Sequence, residues 1–197
     1  MRNKLPLILA TATIAAALAS TGCKQEPAKE AAQTPAPQTA PAAAQALVEY
    51  GYETDNGKWS PNGATVKVEQ STAAKKSGNA SLKVSGTSGE GKWNFAFSPK
   101  FPLQAGKKYK LTAYMMVEGT KPASFPPLLK CGIYQDNKFL SNAFTKTYDL
   151  KKGGWQELSV TFDAPSDATQ GFIAVEKGTD KPVEGTIYID DVKFEAL

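Results

Sequence analysis

The sequence predicts an all-β domain, on three observations. Runs rich in Val, Ile, Tyr, Phe and Thr, with apolar and polar positions alternating, recur along residues 47–197. Turn pairs such as Asn56-Gly57, Asn62-Gly63, Gly78-Asn79 and Gly153-Gly154 fall between those runs. No stretch carries a sustained helical period closed by caps. About nine short strands of this kind argue for a sandwich or a barrel.

Ahead of the domain, residues 1–22 have the form of a secretion signal. Arg2 and Lys4 make a positive start, and residues 5–18 a short apolar core too rich in Ala and Thr for a spanning helix. The segment ends Leu18-Ala19-Ser20-Thr21-Gly22-Cys23, which resembles a bacterial lipobox, with Ser20 departing from the usual aliphatic residue. The resemblance implies cleavage before Cys23 and acylation of that residue, hence an anchor in the cell envelope. Lys24, in place of Asp, is similar to lipoproteins sent on to the outer membrane. The competing reading is ordinary cleavage near Thr21 and a soluble periplasmic protein. Residues 23–46 hold Cys23 and then a tract of Ala, Pro, Gln, Thr, Lys and Glu without one aromatic, composed as a disordered tether. Extended, the tract reaches on the order of 70 Å.

Within the domain, residues 47–197, the strand signals fall at 47–53, 65–70, 80–85, 92–98, 108–118, 128–135, 156–162, 171–176 and 186–194. Alternation is plain in Val66/Val68, Leu82/Val84, Trp93/Phe95/Phe97 and Leu158/Val160/Phe162. The last run, Tyr188-Ile189-Asp190-Asp191-Val192, puts two carboxylates inside a strand, a costly placement unless donors or a cation meet them. Its expected neighbour is the first strand, which ends in Glu53.

Composition removes several classes of function. The formal net charge of +4 falls to +2 without Arg2 and Lys4, and Arg2 is the sole arginine, so a nucleic-acid surface is not expected. The chain has no histidine, which rules out Ser-His-Asp and Cys-His catalysis and any His-bound metal. No phosphate-binding or dinucleotide-binding glycine motif occurs. Cys131 reads as a small buried hydrophobe. The chain therefore reads as a binder, not an enzyme.

The order of landmarks resembles the jelly-roll carbohydrate-binding modules appended to xylanases and other glycanases (families 4, 9 and 22), which share the galactose-binding-like sandwich. The matching residues are Gly51-Tyr52-Glu53, Trp59, the block Ser77-Gly78-Asn79-Ala80-Ser81-Leu82-Lys83-Val84, and Trp93. They continue through Leu103, Gly106 and Tyr109, then Trp155, Leu158 and Phe162, and close on Tyr188 to Val192. The resemblance implies a jelly-roll β-sandwich of two antiparallel sheets. It also implies a structural calcium held by Glu53, Asp190 and the loop at Ser77, through hard oxygens; the alternative is that these acids cap loops or pair with lysine. For the ligand it implies aromatic stacking and hydroxyl hydrogen bonds in a cleft formed by Trp93, Phe95, Tyr134, Gln135, Phe172 and Glu176. Ala174 stands where the family often has a second aromatic.

Two readings of function compete. In the first, a non-catalytic module binds a polysaccharide or cell-wall glycan near the membrane. In the second, the same sandwich with a degenerate cleft serves as a structural or protein-interaction lipoprotein. The Pro-rich residues 120–129, with Phe125 and Leu128 as exposed apolar candidates, belong to either reading, as a cleft rim or as a partner edge.

Overall fold

Side-chain alternation sorts the chain into inward and outward faces, and a computed structural model describes the result for residues 45–197. The signal segment and Cys23 lie outside the described residues. In chain order the strands are β1 (Gln45–Tyr50), β2 (Ser60–Pro61), β3 (Val66–Ser71) and β4 (Ser81–Ser88). Next come β5 (Asn94–Phe97), β6 (Phe101–Pro102), β7 (Lys108–Lys121) and β8 (Leu128–Gln135). The chain closes with β9 (Lys138–Phe144), β10 (Gln156–Asp163), β11 (Gln170–Glu176) and β12 (Val183–Ala196). Among the described residues no helix is long and apolar enough to cross a membrane.

Two antiparallel sheets result. One runs β10-β7-β12-β4-β3 with β1 added against β12, and the other runs β2-β5-β11-β8-β9 with β6 against β11. The all-β jelly-roll expectation holds, and the first strand does pair with the last, from Gln45↔Ala196 to Tyr50↔Val192. On β7 the alternate residues Tyr109, Leu111, Ala113, Met115 and Val117 are buried, and on β8 Leu129, Cys131 and Ile133 face the same interior. Phe101, Tyr109 and Phe194 stack there, with centroids 4.6 Å apart for Phe101–Phe194 and 5.2 Å for Tyr109–Phe194. Cys131 is free and buried, and burial pushes its thiol up to about 12, so it is inert.

The structure departs from the sequence reading in three places. Three strands were not expected, the two-residue β2 and β6 and the longer β9, which is joined to β8 by the two-residue turn Asp136-Asn137, with Asp136 left-handed at φ 51°. The first strand stops at Tyr50, because Tyr52 turns left-handed at φ 57° and carries Glu53 off the sheet. The 120–129 stretch is not an exposed apolar insert. β7 continues through Lys121 and β8 begins at Leu128, so that Leu128 is buried and Phe125 packs partly against the core.

Candidate functional site

The outward face of the second sheet carries a groove of about 770 Å³. Its floor follows from register. β8 and β11 pair as Gly132↔Phe172, Lys130↔Ala174 and Leu128↔Glu176, so the even-numbered residues of both strands share the outer face. Phe172 lies across Gly132, where a Cβ would meet the ring at 2.7 Å; only glycine lets the ring lie this low. Ala174 is small and buried, leaving space between Lys130 and Glu176, which sit diagonally across the strand pair. Lys130 and Glu176 are themselves buried and form an ion pair between Nζ and Oε2. Beyond that ion pair, no hydrogen-bond donor reaches Oε2 among the described residues.

Both walls depend on bulges. On β5, Asn94 pairs with Glu176 and Ala96 with Val175, leaving Phe95 as the extra residue. The bulge turns Phe95 inward, fully buried in the core, and keeps Asn94 and Phe97 outward. The expectation that Phe95 lines the cleft is thereby corrected. Trp93, just ahead of the strand, is 52% exposed over the groove. Opposite, a bulge between Ile133 and Tyr134 sets Tyr134 against Phe139, while Gly132 pairs with Asn142 and Lys130 with Phe144. Without it, Phe139 would share a face with neither Asn142 nor Phe144. With it, all three line the groove. Tyr134 is wedged between Phe139 (5.5 Å) and Phe172 (5.7 Å), with the Lys100 ammonium 5.4 Å from its ring centroid.

The rim beside Trp93 is fixed by a lysine that the sequence does not flag. Lys177 is fully buried, and its ammonium donates to the carbonyls of Ser88 (2.9 Å), Gly89 (2.8 Å) and Lys181. Burial lowers its pKa, opposed by the charges of Asp180 and Glu176. The Lys177 backbone N–H donates to the Trp93 carbonyl at 3.0 Å, so one residue ties both loops that frame the indole. Asn94 Oδ1 is buried with no partner, an acceptor left open at the groove.

Of the residues expected from sequence, Trp93, Tyr134, Phe172 and Glu176 come together in the groove. Gln135 stands apart at the hairpin end, half-buried and paired with Lys138. Asn94, Lys130, Phe139, Asn142 and Phe144 were missed. The Asp136-Asn137 turn signal would have found the three residues on β9.

The acidic seam lies elsewhere, at the end of β12. Asp191 is left-handed at φ 48° and forms the bulge that interrupts the β12–β7 register between Asp190 and Lys193. Asp190 is fully buried; its Oδ2 accepts from the N–H groups of Lys76 (2.8 Å) and Ser77 (3.2 Å), and its Oδ1 from that of Asp191 (2.8 Å). Burial pushes its pKa up, opposed by those three donors and reinforced by the Asp191 charge. Ser77 Oγ donates to Asp191 Oδ1 at 2.6 Å, and the Asn79 N–H reaches both oxygens of Glu53 at 3.2 and 3.0 Å. Glu53 folds over Gly78, where a Cβ would fall 1.9 Å from Oε1. Three carboxylates thus bond to separate residues of the 76–79 loop. This hard-oxygen chemistry suits calcium, yet no three acidic, His or Cys side chains gather at one point among the described residues. Carbonyls and water would have to supply most of a calcium shell.

A family model described as a carbohydrate binding domain matches residues 44–182. No protein with a curated description matches the chain. The fold is similar to that of the N-terminal endo-1,4-β-D-xylanase 10B from Clostridium thermocellum, whose CBM22-1 and GH10 modules were solved in complex with xylohexaose. That likeness has a TM-score of 0.60 at 18% identity, over 77% of this chain and 28% of that one, so this chain spans little more than a quarter of the xylanase structure. The CBM22-1 xylan-binding domain of Paenibacillus barcinonensis xylanase 10C is similar with a TM-score of 0.60 and 13% identity, over 78% of this chain and 96% of that one. A xylan-binding domain described as CBM 22, formerly x6b, is similar with a TM-score of 0.58 and 22% identity, over 79% and 97%.

Proposed function

The chain belongs to the carbohydrate-binding domain family, and on that premise we propose that it is a non-catalytic glycan binder whose ligand lies in the groove of the second sheet. The observation that carries this reading is the placing of Trp93, half exposed, above a floor that holds both an unpartnered Asn94 Oδ1 and the Lys130–Glu176 pair. A pyranose has apolar C–H faces and polar edges. One face lies on the Trp93 indole or on the Phe139 and Phe144 rings, where stacking displaces weakly held water. Its hydroxyls then donate to Asn94 Oδ1 and to the Glu176 carboxylate and accept from the Lys130 ammonium.

The finer parts of the reading rest on the sequence. A lipid anchor at Cys23 would hold the domain in the bacterial envelope, at the outer membrane. Calcium at Glu53, Asp190 and the Ser77 loop would brace the paired termini, a reading supported by the nearness of Asp190 and Glu53 to the one loop at residues 76–79.

Affinity electrophoresis tests the glycan reading. Gels cast with xylan, β-glucan, a soluble cellulose derivative or peptidoglycan fragments are run with the wild-type protein beside Trp93→Ala. Retardation by at least one polymer, reduced tenfold or more in the variant, is expected; about 1.4 kcal/mol is a tenfold change in affinity. No retardation by any of them overturns it, and equal retardation of the variant overturns the placing of the ligand on Trp93.

A further inference from the structure

The groove continues past Asn62, Asn94 and Phe172 into a second hollow of about 530 Å³, reached by Lys58, Ser98 and Lys100. Charge along this combined path is one-sided. Lys58, Lys92, Lys100 and Lys130 line it, against the single carboxylate of Glu176. The chain as a whole is nearly balanced, with 23 basic and 19 acidic residues, so the skew is local. Glu176 is already neutralised by Lys130. Lys58, Lys92 and Lys100 are exposed, and none is in an ion pair among the described residues. The acids beside this path stand outside its lining: Glu90 faces Lys181 at 4.0 Å, Asp55 accepts the Gly57 N–H at 2.7 Å, Asp180 lies by Lys177, and Asp136 shares a neighbouring hollow with Lys100.

The geometry points to a glycan that carries carboxylates, a uronate-bearing polymer, as the ligand of this groove, an inference that rests on the glycan reading. A neutral sugar meets these ammonium groups only through hydroxyl hydrogen bonds, whereas a carboxylate adds a full opposite charge to each meeting. A polymer with a carboxylate on some of its rings places those charges beside them while the remaining rings stack on Trp93, Phe139 and Phe144. The lysines stand at the rim, solvated, and so act at range and with salt sensitivity, whereas the aromatic floor acts by contact.

Matched polymers that differ only in charge provide the test. The full chain is titrated with glucuronoxylan and with the same polymer after carboxyl reduction, and with polygalacturonate and its methyl ester. At least one acidic member is expected to bind ten times or more tighter than its neutral counterpart. That advantage should shrink severalfold between about 50 mM and about 500 mM NaCl, as the screening length falls from more than 10 Å to less than 5 Å. In the combined variant Lys58→Asn, Lys92→Gln, Lys100→Gln the ratio of acidic to neutral affinity should fall to about one, whatever the change in affinity for the neutral member; Asn suits the left-handed Lys58, at φ 58°. Equal binding of acidic and neutral members overturns the uronate inference and leaves glycan binding standing. Equal binding of dextran sulfate overturns it in favour of general polyanion capture. Binding of none of the polymers overturns the uronate inference, and affinity electrophoresis decides the glycan reading separately.

Discussion

Asp190 and Glu176 are both buried carboxylates in strands of one sandwich, and they are satisfied in opposite ways. Asp190 takes three backbone N–H groups, from Lys76, Ser77 and Asp191. Glu176 takes one side chain, Lys130. Backbone donors cannot leave without refolding the loop that bears them, so the Asp190 cluster fastens the 76–79 loop to the final strand. A lysine side chain can rotate to share its partner. If the groove binds glycan as proposed, Glu176 is a carboxylate that could change partners when a hydroxyl arrives, whereas Asp190 is one that could not. The two carboxylates are alike in residue type and burial and differ in the kind of partner that their place in the fold gives them.

The most forceful way to break the comparison is Asp190→Ala. It strands three donors around an emptied site, and unfolding free energy should fall by on the order of 4 kcal/mol in a urea titration. Affinity of the folded fraction for glycan should be unchanged; a change would show that the seam reaches the groove.

Glu176→Leu comes next. It leaves Lys130 buried without a counter-charge, at a cost of about 3 kcal/mol. Adding Lys130→Met replaces the pair with apolar volume, and most of that stability should return. Glycan affinity should not return. If the double variant binds as wild type does, the pair is as purely structural as Asp190, and the contrast collapses.

Calcium sharpens the same contrast from the side of the seam. An ion held by Glu53, Asp190 and loop carbonyls at about one hundred times its dissociation constant stabilises the fold by about 2.7 kcal/mol. The melting temperature should accordingly rise by several degrees in calcium and fall in EGTA, with Glu53→Gln insensitive to both. An identical melting curve in calcium and EGTA would mean that the backbone donors complete the staple unaided.

The sequence was most legible where information is local. Period-two patterning located nine strands to within a few residues, and the Asp190-Asp191 interruption marked a real break in the ladder, the bulge at Asp191. What it hid is non-local. Alternation put Phe95 on the face of Trp93, but the bulge against β11 turned it inward. Lys130 and Lys177 look like ordinary polar strand positions. They are buried because their partners lie 46 residues downstream, at Glu176, and 88 and 89 residues upstream, at Gly89 and Ser88. No local rule announces such a meeting. Asn142 and the two exposed phenylalanines of β9 were lost with the strand itself, since residues 138–144 mix polar and apolar positions once a bulge shifts the period.

Gly132→Ala probes the smallest element of the difference. In the seam, Gly78 is needed because a carboxylate covers it, and any side chain there meets Glu53 while also straining a left-handed backbone at φ 55°. At Gly132 no φ constraint applies; the obstacle is the far edge of the Phe172 ring, 2.7 Å from the added methyl. A ring edge can pivot, so the cost in stability should lie at the low end for such a change, about 1 kcal/mol. The pivot lifts Phe172 from the floor and disturbs its contact with Tyr134, 5.7 Å away, so glycan affinity should drop severalfold while the melting curve barely moves. Gly78→Ala should do the reverse, lowering the melting temperature and sparing affinity. If both substitutions shift stability and neither shifts affinity, Phe172 is packing rather than platform, and the binding surface narrows to Trp93 and the β9 aromatics.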